Sequence, residues 1–284
     1  MLSFSDFLKD TNTELVEKLI TFGGRAYPNY GHIVLMAGGA GSGKGFVLSN
    51  LVGLEGKVFD VDQLKTLASK TPAIKRRVSR ELGVDIEDLS QNLKNPENVS
   101  KLHDIMGDYL EIDKRKERAF YRGVMTAPAD RKPNIVFDMT LKSLDKLEKI
   151  AKDAAKLGYD KKNVHIVWVV NDIEVAKQQN KKRARTVPSE ILVNTHRGAA
   201  NTMGDILNMG NKLKRYIDGD IVFAFNKVGV DADLDTSGKG GSYIKDANYF
   251  YVKRSGQDPI PVEKLDKSIR AKIKSYVPAG IDWT

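Results

Sequence analysis

The sequence predicts an α/β fold: a mostly parallel five-stranded sheet flanked by helices, with a helical insertion and a C-terminal extension. Three observations carry that expectation. Short, near-continuous apolar runs alternate with amphipathic stretches, as strands covered on both faces alternate with helices. The first run, Ile33-Val34-Leu35-Met36-Ala37, opens directly into a glycine-rich turn and then a helical pattern. The later runs recur at spacings wide enough for a crossover helix between parallel strands.

Taken in order, residues 5–22 place Phe7, Leu8, Leu15, Leu19 and Ile20 at helical spacing, so residues 1–30 read as an N-terminal helix and its loop. The main domain is expected over residues 31–230. Its second strand, 57–62, ends in Asp60 and Asp62. Residues 63–126 are polar and helix-rich, broken at Pro72 and Pro96, with no convincing strand. An insertion of that length builds a substrate-binding or lid subdomain. Strands return at 134–138, 164–170 and 220–225. An amphipathic helix at 144–157 ends before Gly158, and further helices run from 173 to about 216. Residues 231–284 form the extension: a polar loop at 231–241, an extra strand at 249–252 with hairpin pairing as one reading, and a last helix at 262–276.

The chain of 284 residues is 41% hydrophobic and 29% charged, ordinary for a globular protein. It has no cysteine, which excludes disulfides and thiolate metal sites and fits a reducing cytoplasm. The apolar runs are strand-length, so no membrane span is expected. The acid-bearing N-terminus does not read as a signal peptide. A net charge of +9 attracts phosphate-bearing partners, nucleic acid among them, or simply solvates helices.

Function concentrates in the segment GGAGSGKG at 38–45. Gly38, four residues, then Gly43-Lys44 fit the first seven positions of G-x-x-x-x-G-K-[ST]. Backbone N–H groups must converge on phosphates without obstruction, hence the glycines, and a helix must follow to offer its positive end. The expected nucleotide-binding set is Gly38, Gly39, Ala40, Gly41, Ser42, Gly43, Lys44, Gly45 and Phe46, with Lys44 reaching the β- and γ-phosphates of ATP or GTP. The fold is then of the P-loop NTPase type. Gly45 departs, standing where Ser or Thr gives Mg²⁺ a hydroxyl. Mg²⁺ must then lean on waters, on strand-end acids or on Ser42.

Strand ends face the ligand crevice in such sheets. Asp62 is the candidate general base, with a helix N-cap as its other reading. Asp60 and Asp138 are candidate metal carboxylates, and Thr140 could orient a water. Arg183 and Arg185 are lid candidates that would neutralise γ-phosphoryl charge, or else a solvated helix end. Asn226-Lys227 begins like a guanine-reading N-K-x-D motif, but Gly229 occupies the acid position, so GTP specificity is not inferred. Residues 114–122 read as a basic helix with a core aromatic, with nucleic-acid contact as the alternative. His32, His103, His165 and His196 show no metal-ligand spacing.

With these residues in place, the chain resembles the zeta-toxin-like family of P-loop kinases, close to polynucleotide kinases. The resemblance runs from about residue 33 to 225: the loop GGAGSGKG, the acids of VFDVDQLK, the third-strand FDMTL and the stretch NKKRARTVPSEIL. It implies transfer of a γ-phosphoryl group, with Mg²⁺, to a hydroxyl of a nucleotide-sugar, nucleoside or nucleic-acid acceptor. It also implies that Lys44 holds the phosphates, Asp62 acts as base, and Arg183 or Arg185 neutralises charge. Gly45 and Lys65 depart from the family pattern, and no motif in the insertion identifies the acceptor. The sequence style also resembles proteins of large tailed bacteriophages.

Overall fold

The computed structural model describes residues 20–60, 69–182, 186–226, 234–235, 243–244, 248–281 and 283. A six-stranded sheet has the order β2-β3-β1-β4-β5-β8. It is built from β1 (Ile33–Ala37), β2 (Lys57–Asp60), β3 (Ile135–Asp138), β4 (Val164–Asn171), β5 (Ile221–Asn226) and β8 (Asn248–Lys253). The first five are parallel; β8 runs antiparallel along β5. A two-stranded pair, β6 (Leu234–Asp235) with β7 (Tyr243–Ile244), lies between β5 and β8 in sequence. Five strands were expected in the sheet and the structure has six. The run at 249–252 pairs with the sheet edge itself, which caps an edge that would otherwise expose unpaired backbone groups.

Nine α-helices are formed among the described residues: α1 (Lys44–Asn50), α2 (Pro72–Leu82), α3 (Ile86–Gln91), α4 (Pro96–Asp104), α5 (Ile112–Met125), α6 (Leu144–Lys156), α7 (Ile173–Lys182) and α8 (Ser189–Asn208) lie between strands, and α9 (Lys267–Tyr276) follows the last strand. Every residue of β1, β4 and β5 is buried, which explains their unalternating composition. Side chains still alternate between faces. Leu35, Phe137, Ile166 and Trp168 pack with Leu147 and Ile150 of α6 and Met203 and Ile206 of α8. Val34, Met36, Val136, Val167 and Val169 pack with Ile20, Phe22 and Val47 on the other side. Trp283, near the C-terminus, is 1% exposed and stacks on Trp168 at 5.4 Å between ring centroids.

The insertion folds on its own small core of Val78, Ile86, Leu102, Met106 and Leu110. Pro72 and Pro96, read as breaks, instead begin α2 and α4. Their fixed φ and missing N–H suit a first helical turn. Asn95 caps α4 by accepting from Glu97 N–H, and Asp85 caps α3 by accepting from Glu87 N–H. The basic stretch 114–122 lies on α5, where Phe120 packs on Phe59 and Phe137, as the core-aromatic reading expects.

At the N-terminal ends of the strands sits a buried polar cluster. His165 Nδ1 accepts from Asp220 N–H at 2.9 Å, so Nε2 carries the proton and donates to His32 Nδ1 at 3.0 Å. The Asp220 carboxylate is 3.2 Å from the same His165 nitrogen, an ion pair only if that ring is charged. Burial opposes this, lowering His165 and bringing His32 down to about 4, the latter helped by its His165 neighbour. Lys253 Nζ, also buried, donates to Asp218 Oδ1 and to the Asp218 and Gly219 carbonyls.

Candidate functional site

The loop leaves the C-terminal end of β1, the strand flanked by β3 on one side and β4 on the other. In open α/β sheets this is where ligands bind. Gly38, Gly41 and Gly43 have φ of 144°, 75° and 90°, values that a side chain would strain. Gly43 then serves as N-cap to α1. Lys44 folds back over the loop: its Nζ donates to Gly38 O at 3.0 Å and Gly39 O at 3.3 Å, and lies 3.6 Å from Asp138 Oδ1. Asp138 reaches this position because β3 pairs with β1 in the register Met36↔Asp138. Asp60 is the register partner of Asp138 on β2, so the two candidate metal carboxylates end adjacent strands. The carbonyl of Thr140 accepts from Gly38 N–H at 3.2 Å. Asp62, Arg183 and Arg185 lie outside the described residues.

Four residues that sequence reasoning did not assign to the site hold the loop from outside. Asn226, at the end of β5, donates from Nδ2 to Ser42 O at 2.9 Å. Asn171, its register partner at the end of β4, donates from Nδ2 to Gly41 O at 3.3 Å. On α8, Thr195 Oγ1 accepts from Ala40 N–H at 3.1 Å, and His196 Nε2 bonds Ala40 O at 2.9 Å. A carbonyl only accepts, so His196 carries its proton on Nε2. Burial keeps that ring neutral, and the Lys44 charge adds to the effect. Asn226 is thus a support of the glycine loop. Two asparagines ending paired apolar strands were a readable signal; the α8 contacts were not.

Ser42 Oγ is fully buried, with no hydrogen-bond partner among the described residues, and lies against Gly38. Gly45 is exposed, and a Cβ added there meets nothing within 4 Å. Beside the 183–185 stretch, Thr186 ties the start of α8 to the insertion. Its N–H donates to Leu93 O at 3.0 Å and its hydroxyl to Lys94 O at 2.8 Å.

Strand order, left-handed glycines and the lysine at the head of α1 define a P-loop NTPase-type α/β protein. Comparison with known proteins finds a partial similarity: the zeta-toxin family model matches residues 107–227, a span that includes all four loop-supporting residues but not the loop. A search of curated proteins finds no match. Among solved structures, the PezAT chromosomal toxin–antitoxin system of Streptococcus pneumoniae is similar at 15% identity over 72% of each chain, with a TM-score of 0.43. The AvrRxo1-ORF1:-ORF2 complex with ATP is similar at 9% identity over 90% of this chain and 66% of that one, with a TM-score of 0.46. The same complex with sulphate ions gives 11% identity, 89% and 66% coverage, and 0.45. Among the described residues no helix is long and apolar enough to cross a membrane.

Proposed function

We propose that this chain is a kinase that binds ATP, with GTP as the alternative, and transfers the γ-phosphoryl group to a hydroxyl of a nucleotide-sugar, nucleoside or nucleic-acid acceptor. The observation that supports this most is Lys44 poised over the glycine loop beside Asp138 at the C-terminal end of the sheet. Its ammonium rests on two loop carbonyls and exchanges them for the β- and γ-phosphate oxygens. That is a move from neutral acceptors to charged ones, which form roughly twice as strong a hydrogen bond. The match of residues 107–227 to the zeta-toxin family supports kinase chemistry over simple nucleotide binding.

Mg²⁺ takes hard carboxylate oxygens, and Asp138 and Asp60, which end adjacent strands, are the residues proposed to hold it through water. When bound, Mg²⁺ neutralises phosphate charge. The protein's own share is to hold the triphosphate, keep Asp138 beside Lys44 and present Asp62 to the acceptor hydroxyl as base. Arg183 and Arg185 supply positive charge to the transferring group. Residues 63–126 form the acceptor side.

Titration calorimetry with ATP and Mg²⁺, followed by transfer of labelled γ-phosphate to candidate acceptors, tests the proposal. Lys44→Ala is expected to lower ATP affinity at least tenfold. Asp62→Asn is expected to spare binding and abolish transfer. Lys44→Ala binding ATP like the wild type would overturn the nucleotide site. Tight binding with no transfer to any acceptor class would favour a catalytically silent nucleotide-binding protein, the reading that Gly45 recommends.

A further inference from the structure

We infer that His196 is a positioning residue for the nucleotide loop, and that it dictates glycine at position 39. The inference rests on the nucleotide-site reading above and adds a residue that the glycine-loop pattern does not contain. The two peptide groups that flank the Ala40 Cα are gripped by consecutive residues of α8: the Ala40 N–H by Thr195 Oγ1 at 3.1 Å and the Ala40 C=O by His196 Nε2 at 2.9 Å. Thr195 is itself oriented, because its hydroxyl proton goes to Leu192 O at 2.7 Å. Ala40 therefore has one orientation, and the loop turns from it into Gly41.

Gly39 shows what the grip demands. It has no left-handed φ among the backbone angles, so conformation alone does not require glycine. A Cβ built there would lie 2.1 Å from His196 Cδ2 and 2.4 Å from Cγ. The ring is buried and hydrogen-bonded, so it cannot swing away as the end of a flexible chain would. Glycine stands at 39 because an imidazole occupies the space. Gly43 repeats the logic on the other side, where an added Cβ would lie 2.0 Å from Asn226 Nδ2, the atom that holds Ser42 O. His196 is not a proton-transfer group in this arrangement. It is a neutral, fixed donor whose one ring proton is committed to the loop.

The test is a cycle of Gly39→Ala, His196→Ala and the double variant, with His196→Gln as a fourth protein, each titrated with ATP and separately melted without nucleotide. His196→Ala removes one neutral hydrogen bond and is expected to weaken ATP about 3- to 10-fold. Gly39→Ala must displace the ring and should weaken it at least as much. The double variant should bind no worse than His196→Ala alone, since the obstruction is gone. His196→Gln carries an amide N–H that reaches the same carbonyl, and should stay within about twofold of wild type. Wild-type affinity in His196→Ala, additive losses in the double variant, or a glutamine no better than alanine would each overturn the inference. If His196→Ala does not fold, His196→Gln against His196→Asn, an amide too short to reach, makes the same comparison. Wild type failing to bind ATP would overturn the site reading instead. The melting temperatures would still show whether 39 and 196 are coupled.

Discussion

Two glycines of the same loop, two residues apart, should respond in opposite ways to gaining a side chain. Gly45 sits in the first turn of α1, exposed, with nothing within 4 Å of an added Cβ. Replacing glycine by serine in a helix gains about 0.3–0.5 kcal/mol in propensity, and restricting the unfolded chain adds to this. Gly45→Ser should therefore stabilise by about 0.5 kcal/mol, a rise of roughly 1–2 °C in melting temperature for a domain of this size. It also returns a hydroxyl to the position after Lys44, so the Mg²⁺ concentration for half-maximal transfer should fall. Gly43→Ala meets the opposite conditions: φ of 90° and Asn226 Nδ2 at 2.0 Å. The left-handed conformation costs about 1–2 kcal/mol for a residue with a Cβ, and displacing Asn226 removes a buried hydrogen bond worth about 1 kcal/mol. A loss above 2 kcal/mol is expected. Paired thermal and urea unfolding curves, without nucleotide, read both. A destabilised Gly45→Ser or a neutral Gly43→Ala would refute the reasoning.

Trp283→Ala should cost about 3–5 kcal/mol, because it empties a fully buried site between Trp168 and Phe223; a urea-derived loss below 1 kcal/mol would sink the claim that the C-terminal residues complete the core. The buried His32 predicts a pH dependence. Its folded pKa, about 4, lies below the unfolded value near 6.5, so the unfolded state binds the proton first. The contribution is intact above pH 6.5 and is lost as pH falls from 6.5 towards 4, on the order of 2–3 kcal/mol in all. His165, lowered by the same burial, acts in the same direction. Unfolding free energies at pH 7.5 and 4.5 should show this, and His32→Gln should flatten it; a stability that does not change across that window contradicts the neutral cluster.

The parts legible in the sequence were those whose cause is local. The loop was readable because its chemistry needs contiguous residues, and Asp138 was readable as a carboxylate ending an apolar strand, although its approach to Lys44 was not. The parallel strands were readable because burial on both faces makes a run apolar regardless of its partners. Pairing is another matter. Tyr249 and Phe250 show strand character, but only the unpaired edge of β5 decides that the strand joins the sheet. Asn226 was set aside as a base-reading residue because Gly229 occupies the acid position, but its contact with Ser42 O depends on the loop packing against the end of β5 and was not legible. Thr195 and His196 carried no signal, since a helix far along the chain meets the loop only after the sheet has assembled.

The imidazole beside Gly39 also constrains how this chain can change over time. Substituting position 39 first drives a Cβ into a buried ring, while shrinking position 196 first gives up only one hydrogen bond. Any lineage that replaces this glycine must therefore pass through the helix before it reaches the loop, and relatives with a side chain at position 39 should carry something smaller than histidine at 196.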